Sequence, residues 1–337
     1  MTQRNQQVRL AQRPVGRVNS DTWQLTDEPV PSPGADEFVV AVDLVSLDPA
    51  MRGWLDDVRS YVPPVGIGEV MRAHAVGTVI ESKNERFPVG TRVSGMFGAQ
   101  EYAVSDGRDV TVVDTTAAPP AAWLGALGFP GMTAYFGLLD VGKAKPGDTV
   151  LISGAAGAVG SIAGQIAKLM GCRVIGIAGG AQKCAWLTDE LGFDAAIDYR
   201  AGSIGRALRA AAPDGVDVYF DNVGGDILNS ALAQLRTHAR VVICGAISGY
   251  NATEPQPGPS RYLSLLINRA TMAGFIIFDY QRRYPEAQAA LRHWISRGDL
   301  ITSEQVEPGG IAAFGDTLNL LFDGANTGKL VLEVRAQ

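Results

Sequence analysis

Apolar and β-branched residues dominate positions 37–47 (EFVVAVDLVSL) and 76–80 (VGTVI), and glycine or proline punctuates the chain around them, as in 87–93 (FPVGTRV). With a break about every ten positions, this texture predicts that the first ~125 residues are mainly β. From Gly128 the pattern changes to alternation. Short apolar runs at 149–153, 173–177, 195–198, 217–220 and 240–244 predict strands, and the stretches between them, rich in Ala, Leu, Gln and Lys, predict helices. Strand and helix in strict alternation imply a parallel, doubly wound sheet. Residues 330–334 (LVLEV) predict one more strand after the turn at Asn326, and this last segment is expected to return to the first domain. No internal repeat is visible, and 254–259 (EPQPGP) reads as a turn-rich connector.

Residues 149–160 read TVLISGAAGAVG: a strand, a glycine-rich turn, and then a helical stretch up to Gly171. The spacing Ala155-x-Gly157-x-x-Gly160 is a dinucleotide fingerprint with alanine in the first glycine's place. Its physical basis is backbone access to a pyrophosphate at a helix N-terminus. Glycine favours any tight turn, so the pattern is informative only in context. Here a strand precedes it, a helix follows, and a second apolar strand (173–178, RVIGIA) comes next.

An acidic residue about 20 positions further on usually binds the ribose 2′-hydroxyl of NAD(H). The second strand instead runs into Ala178, Gly179, Gly180, Ala181, Gln182 and Lys183, with no carboxylate. Small residues and an ammonium suit a 2′-phosphate, so NADP(H) is the expected cofactor. The alternative for Lys183 is a solvated lysine on the next helix. Tyr199 and Arg200 follow the third strand at another carboxyl end of the sheet, where they either meet ligand or pack and point to solvent.

Composition narrows the picture further. At 337 residues two domains are expected, and 46% hydrophobic residues, 19% charged residues and 40 glycines fit a globular α/β chain. A net charge of −6 argues against nucleic-acid or membrane-surface partners. The N-terminus has no apolar signal core, and the apolar stretch 117–139 is broken by Pro119, Pro120, Pro130 and glycines, so neither export nor a membrane span is expected. Cys172, Cys184 and Cys244 are odd in number and lack CxxC spacing, which fits reduced thiols in the cytoplasm. A catalytic zinc takes three protein ligands and a structural one four. The first domain has no cysteine and one histidine, His74, while His238 and His293 lie far along the chain, so no metal is expected and His74 reads as a core or surface histidine.

Six segments together resemble the zinc-independent medium-chain reductases of the prostaglandin reductase, leukotriene B4 dehydrogenase and 2-alkenal double-bond reductase family, which includes bacterial curcumin reductase. They are 46–53 (SLDPAMRG), 60–71 (SYVPPVGIGEVM), 131–138 (GMTAYFGL), 221–225 (DNVGG), 243–251 (ICGAISGYN) and 324–329 (GANTGK). The resemblance implies a Rossmann domain, 129–302, inserted between the two parts (1–128 and 303–337) of a mainly β, GroES-like substrate domain. It also implies NADPH-dependent reduction of the carbon–carbon double bond of α,β-unsaturated aldehydes and ketones, and a homodimer formed through cofactor-domain edges. Carried over by position, the cofactor would meet Met132, Thr133, Ala155, Gly157, Ala158, Val159, Gly160, Gly179, Lys183, Tyr199, Asn222, Cys244, Gly245, Ala246, Ile247, Ser248, Tyr250, Phe275, Ile276, Ile277, Phe278 and Asn326. Several have plainer readings. Asn222 and Asn326 sit beside glycines, where asparagine serves turns. Cys244 reads as a packed residue, since nothing nearby in sequence would activate its thiol, and residues 275–278 read as a core strand.

Tyr250 is the implied catalytic residue, a phenol that hydrogen-bonds the enone oxygen while hydride reaches the β-carbon. A tyrosine of ordinary pKa, about 10, stays protonated for that task; the alternative is a ring packed in a glycine-flanked loop. Ala50, Met51, Arg52 and Tyr61 are the implied pocket residues, and Arg52 alternatively serves a structural ion pair. Several plant and animal relatives carry tyrosine where this chain has Ala50, which leaves the substrate less transferable than the reaction. Two further readings remain, a zinc-free quinone reductase and a non-catalytic NADPH-binding redox sensor.

Overall fold

A computed structural model describes residues 4–335. The chain divides into two units, one running to Leu124 and resuming at Glu304, the other comprising Gly125–Ser303. In the first, β1 (Arg4–Leu10) and β2 (Trp23–Pro29) form an antiparallel pair. The punctuated β-branched runs then build β3 (Phe38–Ser46), the short helix α1 (Ala50–Gly53), β4 (Ala75–Ser82), β5 (Arg92–Gly95), β6 (Tyr102–Ser105) and β7 (Thr111–Val112). Strand β3 is buried along almost its whole length because β4 and β6 both pair with it. Gly77 in β4 is required there, since a Cβ would lie 2.3 Å from the Ala41 carbonyl oxygen.

The second unit follows the predicted alternation. After α2 (Phe129–Phe136) come β8 (Thr149–Ser153), α3 (Ala158–Leu169), β9 (Arg173–Ala178), α4 (Ala181–Asp189), β10 (Ala195–Asp198), α5 (Ile204–Ala211), β11 (Val216–Asp221), α6 (Gly225–Leu232), β12 (Leu235–Ile243), α7 (Leu263–Asn268) and β13 (Thr271–Gly274). All neighbouring strands are parallel, in the order β10-β9-β8-β11-β12-β13. This doubly wound Rossmann order reverses between β8 and β11, and ligands bind at the carboxyl ends of such a switch. The chain then completes the first unit with β14 (Glu304–Glu307) and β15 (Lys329–Glu333), and β15 pairs antiparallel with β3, placing Val331 opposite Ser46. The fold is α/β, a Rossmann unit inserted into a mainly β, GroES-like unit.

One expectation fails locally. Residues 275–278 are not a core strand: β13 ends at Gly274, the four residues are half-buried, and a 3₁₀ helix spans Ile277–Arg283. Ring packing draws the segment off the sheet. Phe278 meets Phe129 edge-on at 5.5 Å, and Tyr280 stacks on Phe136 at 4.5 Å. No helix among the described residues is long and apolar enough to cross a membrane.

Candidate functional site

In the Rossmann unit the glycine turn joins β8 to α3. Gly154, at φ 57°, takes the left-handed conformation, while Ala155 is fully buried and donates its N–H to Ile177 O at 3.0 Å. The turn-making role of the first glycine thus falls one residue earlier, which is why alanine is accepted at 155. Space for its methyl comes from Gly176, where a Cβ would approach within 2.9 Å of the Ala155 Cβ. Gly160 lets the helix close onto the turn, since its Cβ would lie 2.4 Å from Gly154 O. Gly157 caps α3 without any side-chain hydrogen bond. Gly157 N–H donates to Gly154 O at 3.0 Å within the turn, and the amides of Ala158, Val159 and Gly160, which have no acceptor within the helix, present its positive end.

Beyond β9, the Tyr199 ring lies over Gly179, where a Cβ would be 2.8 Å from the phenol oxygen. Arg200 stacks on Tyr199 at 5.6 Å. Burial, reinforced by the Arg200 charge, pulls the Lys183 ammonium below its usual range. Two cations and a phenol thus cluster beyond the carboxyl ends of β9 and β10, where a phosphate dianion would offset the repulsion between the cations. A carboxylate invisible to the sequence reading also stands nearby. Asp198, from the end of β10, accepts the N–H groups of Gly180 (2.8 Å) and Arg200 (2.9 Å), which hold it below the usual carboxylate range and fix both turns.

Asn222 is tied to β8: its amide donates to Ser153 Oγ at 2.9 Å and its side chain to Ser153 O at 2.7 Å. The loop carrying Tyr250 docks on the same turn, with Ile247 N–H on Asn222 O (3.3 Å) and Ser248 N–H and hydroxyl on Val223 O (3.2 and 2.6 Å). The Tyr250 phenol oxygen accepts the Ala246 N–H at 3.1 Å. A phenol that accepts one hydrogen bond is a better donor of the next. Burial, then the nearby Asp221 charge, pushes the Cys244 thiol up to about 12, in keeping with the packed, unreactive reading. Met132 lies in an aromatic cluster with Phe136, which leaves only its backbone for a ligand, and Thr133 is half-buried beside it.

In the mainly β unit the implied pocket residues separate. Ala50 is half-buried on α1, and Tyr61 is half-exposed with its oxygen accepting Trp54 Nε1–H at 3.0 Å. Met51 is wholly inside the core and Arg52 is structural, which corrects their placement as pocket residues. Arg52, buried, donates to Gly16 O (2.7 Å), Pro14 O (3.2 Å) and Asp56 (2.7 Å), since a buried guanidinium must satisfy its fork. Asn326 is buried and donates to Gly328 O at 2.9 Å, the turn role open to it from sequence.

His74 is half-buried, with Ser94 Oγ 3.2 Å from Nε2, and desolvation lowers its pKa to about 4. The folded state therefore refuses a proton that the unfolded chain takes up below about 6.5. Stability should be unaffected above that pH and fall by about 2–3 kcal/mol as pH drops towards 4. Urea denaturation of wild type and His74→Gln at pH 7.5 and 4.5 checks this; equal acid losses in both proteins would exclude His74 as the cause.

The N-terminal domain of oxidoreductase family matches residues 6–113, and the zinc-binding dehydrogenase family matches residues 158–293. Despite the second name, no group of three or more His, Cys, Asp or Glu that could hold a metal occurs among the described residues. The chain is 40% identical over 337 residues to the NADPH-dependent curcumin reductase of Escherichia coli (strain K12), covering 98% of this chain and 97% of that protein. It is 38% identical over 330 residues to prostaglandin reductase 1 of Rattus norvegicus, covering 94% and 95%. The crystal structure of CurA from Vibrio vulnificus in complex with NADPH superposes with a TM-score of 0.93 at 42% identity, covering 98% and 100%. The chain belongs to the zinc-independent medium-chain reductase family that includes curcumin reductase and prostaglandin reductase 1.

Proposed function

We propose that this protein is an NADPH-dependent reductase of the carbon–carbon double bond of α,β-unsaturated ketones and aldehydes. The observation that carries the reading is Tyr250, a phenol fixed by its own loop backbone at the carboxyl end of the Rossmann sheet. NADPH, when bound, supplies the hydride. The pyrophosphate lies over Gly157 and takes the amides of Ala158, Val159 and Gly160, and Lys183, Tyr199 and Arg200 take the 2′-phosphate. Asn222, the backbone of Cys244–Ser248 and residues 275–278 complete its contacts within the Rossmann unit. Tyr250 donates a hydrogen bond to the substrate carbonyl oxygen and stabilises the negative charge that oxygen gains as the β-carbon is reduced. The test is NADPH consumption over a panel of enones and enals; a folded protein that binds NADPH and oxidises it with none of them would end this reading.

Lys183→Ala should raise KM for NADPH by about 10–100-fold, the worth of a charge-assisted hydrogen bond, while leaving the weaker use of NADH almost unchanged. Equal losses with both cofactors would place Lys183 elsewhere.

The protein is a homodimer on this reading. Strand β13 is a sheet edge with all four residues exposed, Met272 among them, and Leu263, Leu266 and Ile267 add exposed apolar surface beside it. An open edge with an apolar border is self-complementary about a two-fold axis. Light scattering should give twice the chain mass for wild type and the chain mass for Leu266→Asp; a monomeric wild type refutes the dimer. The free thiols of Cys172, Cys184 and Cys244 suit a reducing compartment, the cytoplasm.

A further inference from the structure

Asp221 ends β11 in the interior of the Rossmann unit, 1% exposed. One of its oxygens, Oδ1, accepts four hydrogen bonds: from Ser153 Oγ (2.8 Å), the Tyr219 hydroxyl (2.7 Å) and the backbone amides of Val223 (3.0 Å) and Gly224 (2.9 Å). The other, Oδ2, is buried with no hydrogen-bond partner. So uneven a placement is costly for a group that binds nothing itself, because a buried polar atom without a partner forfeits its hydration. The return lies in the turn. Two amides pulled onto one oxygen fold 221–225 tightly, with Gly224 and Gly225 at φ 74° and 55°.

That turn is the platform for the catalytic loop. The Asp221 main-chain oxygen receives Cys244 and Gly245 N–H at 2.9 and 3.1 Å, Asn222 O receives Ile247, and Val223 O receives Ser248. Two residues later the phenol of Tyr250 closes back on Ala246 N–H. A continuous set of hydrogen bonds thus runs from the Asp221 carboxylate to the Tyr250 oxygen. The raised pKa of the buried Tyr219 hydroxyl, caused by burial and then by the Asp221 charge, keeps that donor protonated.

We propose that Asp221 is a positioning residue for Tyr250: its buried carboxylate fixes the 221–225 turn and, through it, the loop that presents the phenol to the substrate oxygen. The proposal rests on the enone-reductase reading of Tyr250. Asparagine at 221 can keep its carbonyl at Oδ1 only by pointing an amide into the buried place of Oδ2, where the carboxylate oxygen already finds no partner. The turn relaxes and the phenol shifts.

The experiment is a double-mutant cycle of Asp221→Asn and Tyr250→Phe. Alone, Asp221→Asn should lower kcat about 10–100-fold, the cost of displacing a catalytic group by around 1 Å. In the Tyr250→Phe background the same change should lower kcat at saturating NADPH less than about 2-fold, whereas any loss of NADPH affinity, arising at Asn222 and the Cys244–Ser248 backbone on the same turn and loop, should be equal in both backgrounds. A crystal structure of Asp221→Asn should show the Tyr250 oxygen beyond hydrogen-bond reach, about 3.5 Å, of Ala246 N. Tyr219→Phe, which removes one donor and keeps the core volume, should give a smaller loss of the same kind. If the loss of kcat at saturating NADPH persists undiminished in the Tyr250→Phe background, or the phenol has not moved, the proposal is overturned and enone reduction still stands. If Tyr250→Phe alone leaves kcat unchanged, the reading of Tyr250 falls and the proposal with it.

Discussion

Tyr250→Phe should lower turnover of an enone about 10²–10³-fold, the usual cost of deleting a donor to a developing oxyanion. NADPH affinity should barely change, because the ring remains and only the oxygen is lost. That oxygen accepts the Ala246 N–H, and losing this hydrogen bond should cost fold stability about 0.5–1.5 kcal/mol. Steady-state kcat at saturating NADPH, beside a fluorescence titration of NADPH binding, separates the two quantities. A parallel fall in both would make Tyr250 a cofactor-loop residue; no fall would remove it from the chemistry.

Asp48→Ala should cost the fold about 3 kcal/mol, the low end for breaking a buried ion pair from one side because Asp48 itself is partly exposed. Lys329 is 2% exposed, and its ammonium donates to Leu47 O at 2.6 Å and to Asp48 Oδ1 at 2.7 Å, while Ser46 Oγ holds the other carboxylate oxygen. Burial lowers the lysine's pKa and Asp48 works against that shift. Without Asp48 the depression deepens, so the folded state favours a neutral amine while the unfolded lysine keeps its proton up to about pH 10.4. The deficit should accordingly narrow as pH rises towards that value. Urea denaturation of wild type, Asp48→Ala and Lys329→Met at pH 7 and 9.5 reads this out. Lys329→Met, which removes the charge together with its desolvation, should cost less; if it costs as much, packing rather than charge dominates.

Strands β8 to β12 could be found from sequence because a parallel sheet covered on both faces leaves apolar runs, as in Val150–Ile152 and Val241–Val242. The glycine turn and the missing acidic residue after β9 were legible for the same local reason: their chemistry lies in consecutive residues. Interactions that join distant positions were not. Phe275–Phe278 has strand-like composition, and only the rings of Phe129, packed on Phe278, and Phe136, stacked on Tyr280, both far away in sequence, explain why the chain leaves the sheet. Arg52 could be told from a pocket residue only by Pro14 and Gly16, and Asp198 needed the fold to bring it to Gly180. Lys329 looks like a surface lysine after a turn, and nothing in its neighbours announces Asp48.

Carbon–carbon and carbonyl reduction differ in where the hydride lands. Supplied with an enone and NADPH deuterated at the transferring position of C4, the enzyme should yield the saturated ketone with a single deuterium on the β-carbon. An allylic alcohol with deuterium on the former carbonyl carbon would contradict it.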